Sequence, residues 1–234
     1  MTASVRVVTL LPSATETLLA WGIEPVACTR FCEQPSLRHV GGTKDPDVEA
    51  IVSLRPDLVV MDEEENRKED AEALRAAGVD VFVTAVRSVA DVDPTLARLA
   101  DRLEHSDRSV RVSEPLRYEN PHRTKRRGFV PIWRRPWMTI NGDTYGSSVL
   151  DAIGIVNVFA TEASRYPEVT LDEAAARQPE MVVAPSEPYP FTPGRNEDEL
   201  AVVAPVTFVD GRDLFWWGVR TASALGRLRA ALAG

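Results

Sequence analysis

Short apolar runs alternate along the chain with stretches of helical spacing, and this alternation governs the first reading of the fold. Val5-Arg6-Val7-Val8-Thr9-Leu10-Leu11 opens the sequence as a strand. Glu16 to Ile23 has the spacing of an amphipathic helix and meets Gly22, a usual helix stop. Pro25 to Cys28 predicts a short strand, and Val48 to Leu54 a helix closed by Arg55-Pro56-Asp57. Leu58 to Met61 is apolar throughout, as a strand covered on both faces should be. Asp70 to Ala77 predicts a helix ended by Gly78, and Val79 to Thr84 a further strand.

The second half repeats the order. Ser147 to Ile155 mirrors the first Gly-ended helix, and Val156-Asn157-Val158-Phe159 mirrors the strand after it. Leu171 to Arg177 predicts a helix, Met181 to Ala184 a strand, Glu197 to Val203 a helix, and Val206 to Val209 a strand. The stretch "LRPDLVVMDEEEN" has its echo in "ARQPEMVVAPSEPY". Two halves rich in βαβ units imply an α/β protein of two lobes with largely parallel sheets, joined by a single interlobe helix, the ligand cleft lying between the lobes. Residues 1–90 are expected to form the N-terminal lobe, 91–127 the connecting helix and a polar connector, and 128–234 the C-terminal lobe. Within the connector Asp93 suits a helix cap and Pro94 the first helical position. Leu96, Leu99, Ala100 and Leu103 form one apolar stripe.

Composition narrows the function more than the fold. A formal net charge of -8 argues against a nucleic-acid binder. The basic run Arg123, Lys125, Arg126 and Arg127 reads as a solvated loop. No run is long enough for a bilayer span, so no membrane insertion is expected. The N-terminus lacks a basic segment and a small-residue cleavage site. It therefore predicts a cytoplasmic protein, to which two free thiols at Cys28 and Cys32 conform.

Ligands of open parallel sheets bind beyond the carboxyl ends of the strands. That rule nominates Pro12 to Thr15, Arg30-Phe31, Asp62 to Asn66 and Arg87 in the first half. In the second it nominates Trp133 to Trp137, Glu187 to Phe191 and Leu214 to Trp217. Four of the five tryptophans lie in these second-half segments, with Tyr189, Phe191 and Phe215 beside them, which suits a broad amphipathic ligand. Arg134 and Arg135 are candidates to meet carboxylates or amide oxygens. The acidic run Asp62 to Glu65 reads as a solvated helix start, where carboxylates are favoured. His39, His105 and His122 are scattered, with no zinc spacing, and the sequence has no nucleophile elbow, phosphate loop or dinucleotide fingerprint. No metal site, catalytic residue or required cofactor is expected.

Several blocks carry a resemblance: "RVVTLLPSATETLLAWGIEPVACT", "GGTKDPDVEAIVSLRPDLVVMDEEEN", "PIWRRPWMTINGDTYGSSVLDAIGIVNVFA" and "RYPEVTLDEAAARQPEMVVAPSEPY". Together they resemble the cobalamin-binding members of the helical-backbone substrate-binding proteins, a family that also includes ferric-siderophore and haem binders. The resemblance implies two α/β lobes joined by one long helix. It implies that Pro12 and Phe31 line the ligand site in the first lobe, and Trp133, Trp137, Phe215 and Trp217 in the second. The B12 binders carry a tryptophan where this chain has Thr43. With the nominees Asn66, Arg134 and Tyr189, these residues make up the expected binding set. Exported members dock onto an ABC permease through one acid per lobe, and Glu49 and Asp172 fall at or near those positions.

The resulting expectation is a non-enzymatic, monomeric binder of cobalamin or a related corrinoid, either of the ABC-transporter type or a cytosolic relative. The permease would be a partner only if the protein is exported. A ferric-siderophore or haem binder is the alternative, on Arg134, Arg135 and Tyr189. A cytosolic enzyme acting on a corrinoid or chelate, using Cys32 and the acids near Glu63, is the alternative of another class.

Overall fold

The computed structural model describes residues 5–104 and 125–233. The described residues fall into two compact units, 5–86 with 92–104 and 87–91 with 125–233. Each is an α/β unit built on a four-stranded parallel sheet.

In the first unit the strands are β1 (Val7–Thr9), β2 (Ala27–Cys28), β3 (Leu58–Asp62) and β4 (Val81–Thr84), ordered β2-β1-β3-β4. Every residue of β3 is buried, which is why its sequence is a continuous apolar run rather than an alternation. Helix α1 (Pro12–Ala20) begins earlier than the spacing predicts, because Leu11 is extended and Pro12 takes the first helical position, where a missing N–H costs nothing. It ends as expected, with Gly22 at φ 75° and the Ile23 amide donating to the Leu18 carbonyl. Helix α2 (Val48–Ser53) is capped by Asp47, whose carboxylate accepts from the Ala50 amide at 2.9 Å. Helix α3 (Lys68–Ala76) follows β3, and α4 (Val92–Glu104) buries the Leu96, Leu99, Ala100 and Leu103 stripe. Asp93 lies inside α4 and does not cap it. Continuation of the connecting helix past Glu104 falls outside the described residues.

The acidic run is not a helix start. Asp62 ends β3, and its carboxylate accepts the Glu64 and Glu65 amides and the Thr84 hydroxyl, closing a turn that comes before α3. Burial pushes the Asp62 carboxyl above the usual carboxylate range, and these donors oppose that shift only in part.

The second unit has β5 (Arg126–Phe129), β8 (Ile155–Asn157), β10 (Met181–Pro185) and β11 (Val206–Val209), ordered β11-β10-β5-β8. An antiparallel sheet that the sequence pattern does not predict stands beside it, formed by β6 (Pro131–Trp133), β7 (Trp137–Thr139) and β9 (Glu168–Val169). The helices are α5 (Tyr145–Ala152), α6 (Leu171–Ala176), α7 (Glu197–Leu200), α8 (Gly211–Phe215) and α9 (Thr221–Leu232). Thr170 and Glu173 close α6 with a reciprocal capping box, and Glu173 is held below its usual range by the Thr170 amide and hydroxyl.

Here the basic run is corrected. Arg126 and Arg127 belong to β5, a central strand, and not to a loop. The cations reach past the sheet to neutralise helix ends. Arg127 donates to the Arg177 and Gln178 carbonyls at the end of α6, and Arg126 to the Leu232 carbonyl at the end of α9. Lys125 pairs with Asp151, while Arg123 lies outside the described residues. Among the described residues no helix is long and apolar enough to cross a membrane.

Candidate functional site

The antiparallel sheet of the second unit carries the chemistry. Strand β6 delivers Trp133 to its outer end, the chain turns through Arg134 to Pro136, and β7 returns with Trp137. The loop after β10, at a strand carboxyl end, brings Tyr189 and Phe191 to the same place. Phe191 is buried and forms the floor. Trp137 stacks on it with centroids 6.0 Å apart and planes within 7°. Tyr189 lies against Phe191 at 4.7 Å, and Trp133 meets Tyr189 edge-on at 5.7 Å. Offset and edge-on pairs of this kind each add about 1 kcal/mol beyond the area they bury. The cluster thus rises from a dry floor to an open indole, since Trp133 remains 45% exposed. A large exposed aromatic on a rigid base is a ready contact surface for a flat ligand.

Arg134 is fixed at the side of this shelf. Its guanidinium sits 6.0 Å over the Trp137 ring and forms a two-pronged contact with Glu199 of α7, at 2.8 and 3.2 Å. The Tyr189 hydroxyl is a further neighbour. The sequence carried no signal for Glu199, because one acid in a polar helix start has no spacing that ties it to a turn 65 residues away.

The structure divides the other expected residues. Phe31 is half exposed in the turn after β2, with the Arg30 guanidinium 4.9 Å over its ring and Asp45 paired to Arg30 at 3.0 Å. Pro12 is partly exposed at the start of α1. Asn66 is held in the fold: its buried amide donates to the Leu10 and Thr43 carbonyls at 3.1 and 2.9 Å and accepts from the Asp62 amide at 2.8 Å. Trp217 is only 5% exposed and belongs to the core. Phe215 packs so closely on α5 that a Cβ at Gly146 would come within 2.8 Å of its ring. Sequence alone cannot separate a capping aromatic from a presented one, since both follow strand ends.

Glu49 and Asp172 are exposed, each in the first turn of its helix, α2 and α6, which hold matching places in the two units. Cys32 is 3% exposed, and its thiolate is favoured by the Cys28 thiol and by the Thr15 and Thr29 hydroxyls, which bring it down to about 6 against the opposing effect of burial. A recess of about 550 Å³ beside β8 in the second unit is lined by Arg87, Asp91, Asp143, Ser147 and Asn157. Its lining sets Arg87 against Asp91, Asp143 and Asp151, Arg87 and Arg165 both pair with Asp143, and no ring of the shelf lines it.

Residues 7–199 match the profile of a family described as periplasmic binding proteins. A vitamin B12-binding protein of Yersinia pestis is 27% identical over 194 residues, covering 77% of this chain and 69% of the relative. The crystal structure of the periplasmic vitamin B12-binding protein of Vibrio cholerae superposes with a TM-score of 0.81 at 20% identity, over 97% of this chain and 96% of that one. A periplasmic haem-binding protein of the same organism superposes at 0.78 with 19% identity, over 99% and 100% of the two chains. The cytoplasmic placement expected from the N-terminal residues is thereby corrected, because the family and these relatives are periplasmic.

Proposed function

The chain belongs to the periplasmic binding protein family, and on that footing we propose that it captures cobalamin or a related corrinoid without turning it over. The observation that carries this reading is the aromatic shelf: an exposed Trp133 on a Tyr189, Trp137 and Phe191 base offers a flat ring system a large contact area that needs no reordering on binding. The names of the relatives support the corrinoid as the ligand class. The corrinoid is cargo here and not a cofactor. Phe31 and Pro12 are proposed contacts from the first unit. Glu49 and Asp172 are proposed docking acids for an ABC permease, supported by their exposure at matching helix starts. The protein acts as a monomer in this reading.

The test is isothermal titration calorimetry with cyanocobalamin, cobinamide, a ferric hydroxamate siderophore and haem. Saturable one-to-one binding of the corrinoids is expected, weakened about tenfold or more by Trp133→Ala. Heats that never saturate with either corrinoid would sink the assignment. A haem reading has one observation in its favour, the half-buried Tyr189 next to Arg134, and saturation by haem alone would establish it.

A further inference from the structure

We propose that Glu199 sets the charge selectivity of the shelf, directing it toward macrocycles with neutral amide side groups and away from those with carboxylates. This rests on the shelf being the ligand surface and goes beyond it by naming the peripheral groups that are read.

The argument starts from Arg134. A lone guanidinium at the edge of an aromatic surface would attract carboxylates, the groups it pairs with best. This one is already engaged. Its Nε and Nη2 meet the two oxygens of Glu199, and the side chains of the pair are only 23% and 36% exposed. Partial burial reduces solvent screening, so the pair presents a dipole to a ligand instead of a net charge. A ligand carboxylate would have to displace Glu199 or sit beside it, and both carry a like-charge cost. An amide carries no such charge and can accept from a guanidinium N–H outside the Glu199 contact, where the Tyr189 hydroxyl is the other neighbour. The floor and wall of the shelf are Phe191, Trp137, Trp133 and Tyr189, none of which supplies a compensating cation. Arg135, in the same turn, is exposed to solvent, where its charge is screened.

The experiment uses two corrinoids with the same ring, cobinamide with its amides and cobyrinic acid with its carboxylates, titrated into the full chain. The readout is the ratio of their affinities. Glu199→Gln, which keeps the shape and removes the charge, is expected to shift that ratio toward the carboxylate ligand by about tenfold. Arg134→Gln is expected to shift it the opposite way, so the two variants check each other even if one is destabilised. Shifts of the same sign, or a ratio that neither variant moves, would overturn the proposal while leaving the corrinoid reading intact. Wild-type protein that binds neither ligand would overturn both.

Discussion

The two units share a plan down to its fastenings and differ in what the plan supports. In each, an arginine at the head of the first strand caps the end of the second helix. Arg6 donates to the Leu54 and Arg55 carbonyls after α2, as Arg127 does to the Arg177 and Gln178 carbonyls after α6. The amide of each arginine donates to an acid, Asp57 at 2.8 Å in one unit and Glu180 at 2.7 Å in the other. Arg55 and Gln178 both take the left-handed conformation before a proline, at φ 47° and 52°. Against this shared frame, the second unit inserts β6 and β7 between its first strand and first helix, where the first unit runs directly from β1 into α1. The frame is therefore common to both units, and the insertion is what sets the aromatic shelf apart in the second.

The largest test of the comparison concerns a lock found in the second unit. Asp213 is buried between Arg220, at 2.9 Å, and Arg227, at 2.6 and 2.7 Å. Asp213→Ala removes the buried carboxylate that Arg220 and Arg227 share, and is expected to cost about 3 kcal/mol in urea unfolding. A loss below about 1 kcal/mol would mean that α8 and α9 are held by apolar packing alone.

A paired test follows at the start of the third helix of each unit. Asn66 satisfies three backbone groups, so Asn66→Ala is expected to cost about 2 kcal/mol. Asn196, fully buried before α7, has an amide nitrogen with no partner among the described residues and accepts only at 3.4 Å from Thr192. Asn196→Ala should therefore fall within about 1 kcal/mol of wild type. Equal losses at both positions would show that the two asparagines do the same work. Smaller still, Arg6→Ala and Arg127→Ala are each expected to cost about 1 kcal/mol, since these cations stand at the surface. Unequal costs would break the equivalence of the two clamps.

The smallest effect is a pH dependence that comes from Asp62 in the first unit. Asp62 binds its proton more tightly when folded, so the native state holds the extra proton. Stability should then fall as pH rises from the ordinary aspartate value of 3.8 through the raised native value, and level off above it. Asp62→Asn should reduce this slope, what remains coming from Glu65, which burial also raises, and its stability relative to wild type should rise across that window. An unchanged profile in urea midpoints would rule the effect out.

What the sequence disclosed follows the same division. The β-strands and helices of the first unit were readable because buried parallel strands write themselves as apolar runs and helices stop at glycine. Strand β5 was not, because two arginines made a central strand look like solvent-facing chain, although their charges go to helix ends. Strands β6, β7 and β9 span two or three residues each, too short for a period to register. The shelf tryptophans Trp133 and Trp137 were legible as strand-end aromatics. Trp217 and Phe215 carried the same signal, yet Trp217 is buried and Phe215 packs on α5, while Glu199 could be found only through its partner in space.

The arginine clamps also bear on how the protein moves in time. Helices α2 and α6 are six residues each, far below the length at which an isolated helix holds in water. Such elements usually fray from their free ends, exchanging amide protons with solvent long before the rest of the fold opens. An arginine side chain holding the terminal carbonyls of each slows this fraying without abolishing it. The amides of Leu54 and Arg177 should therefore exchange about fivefold faster once Arg6 or Arg127 is removed, a local clock set by one side chain.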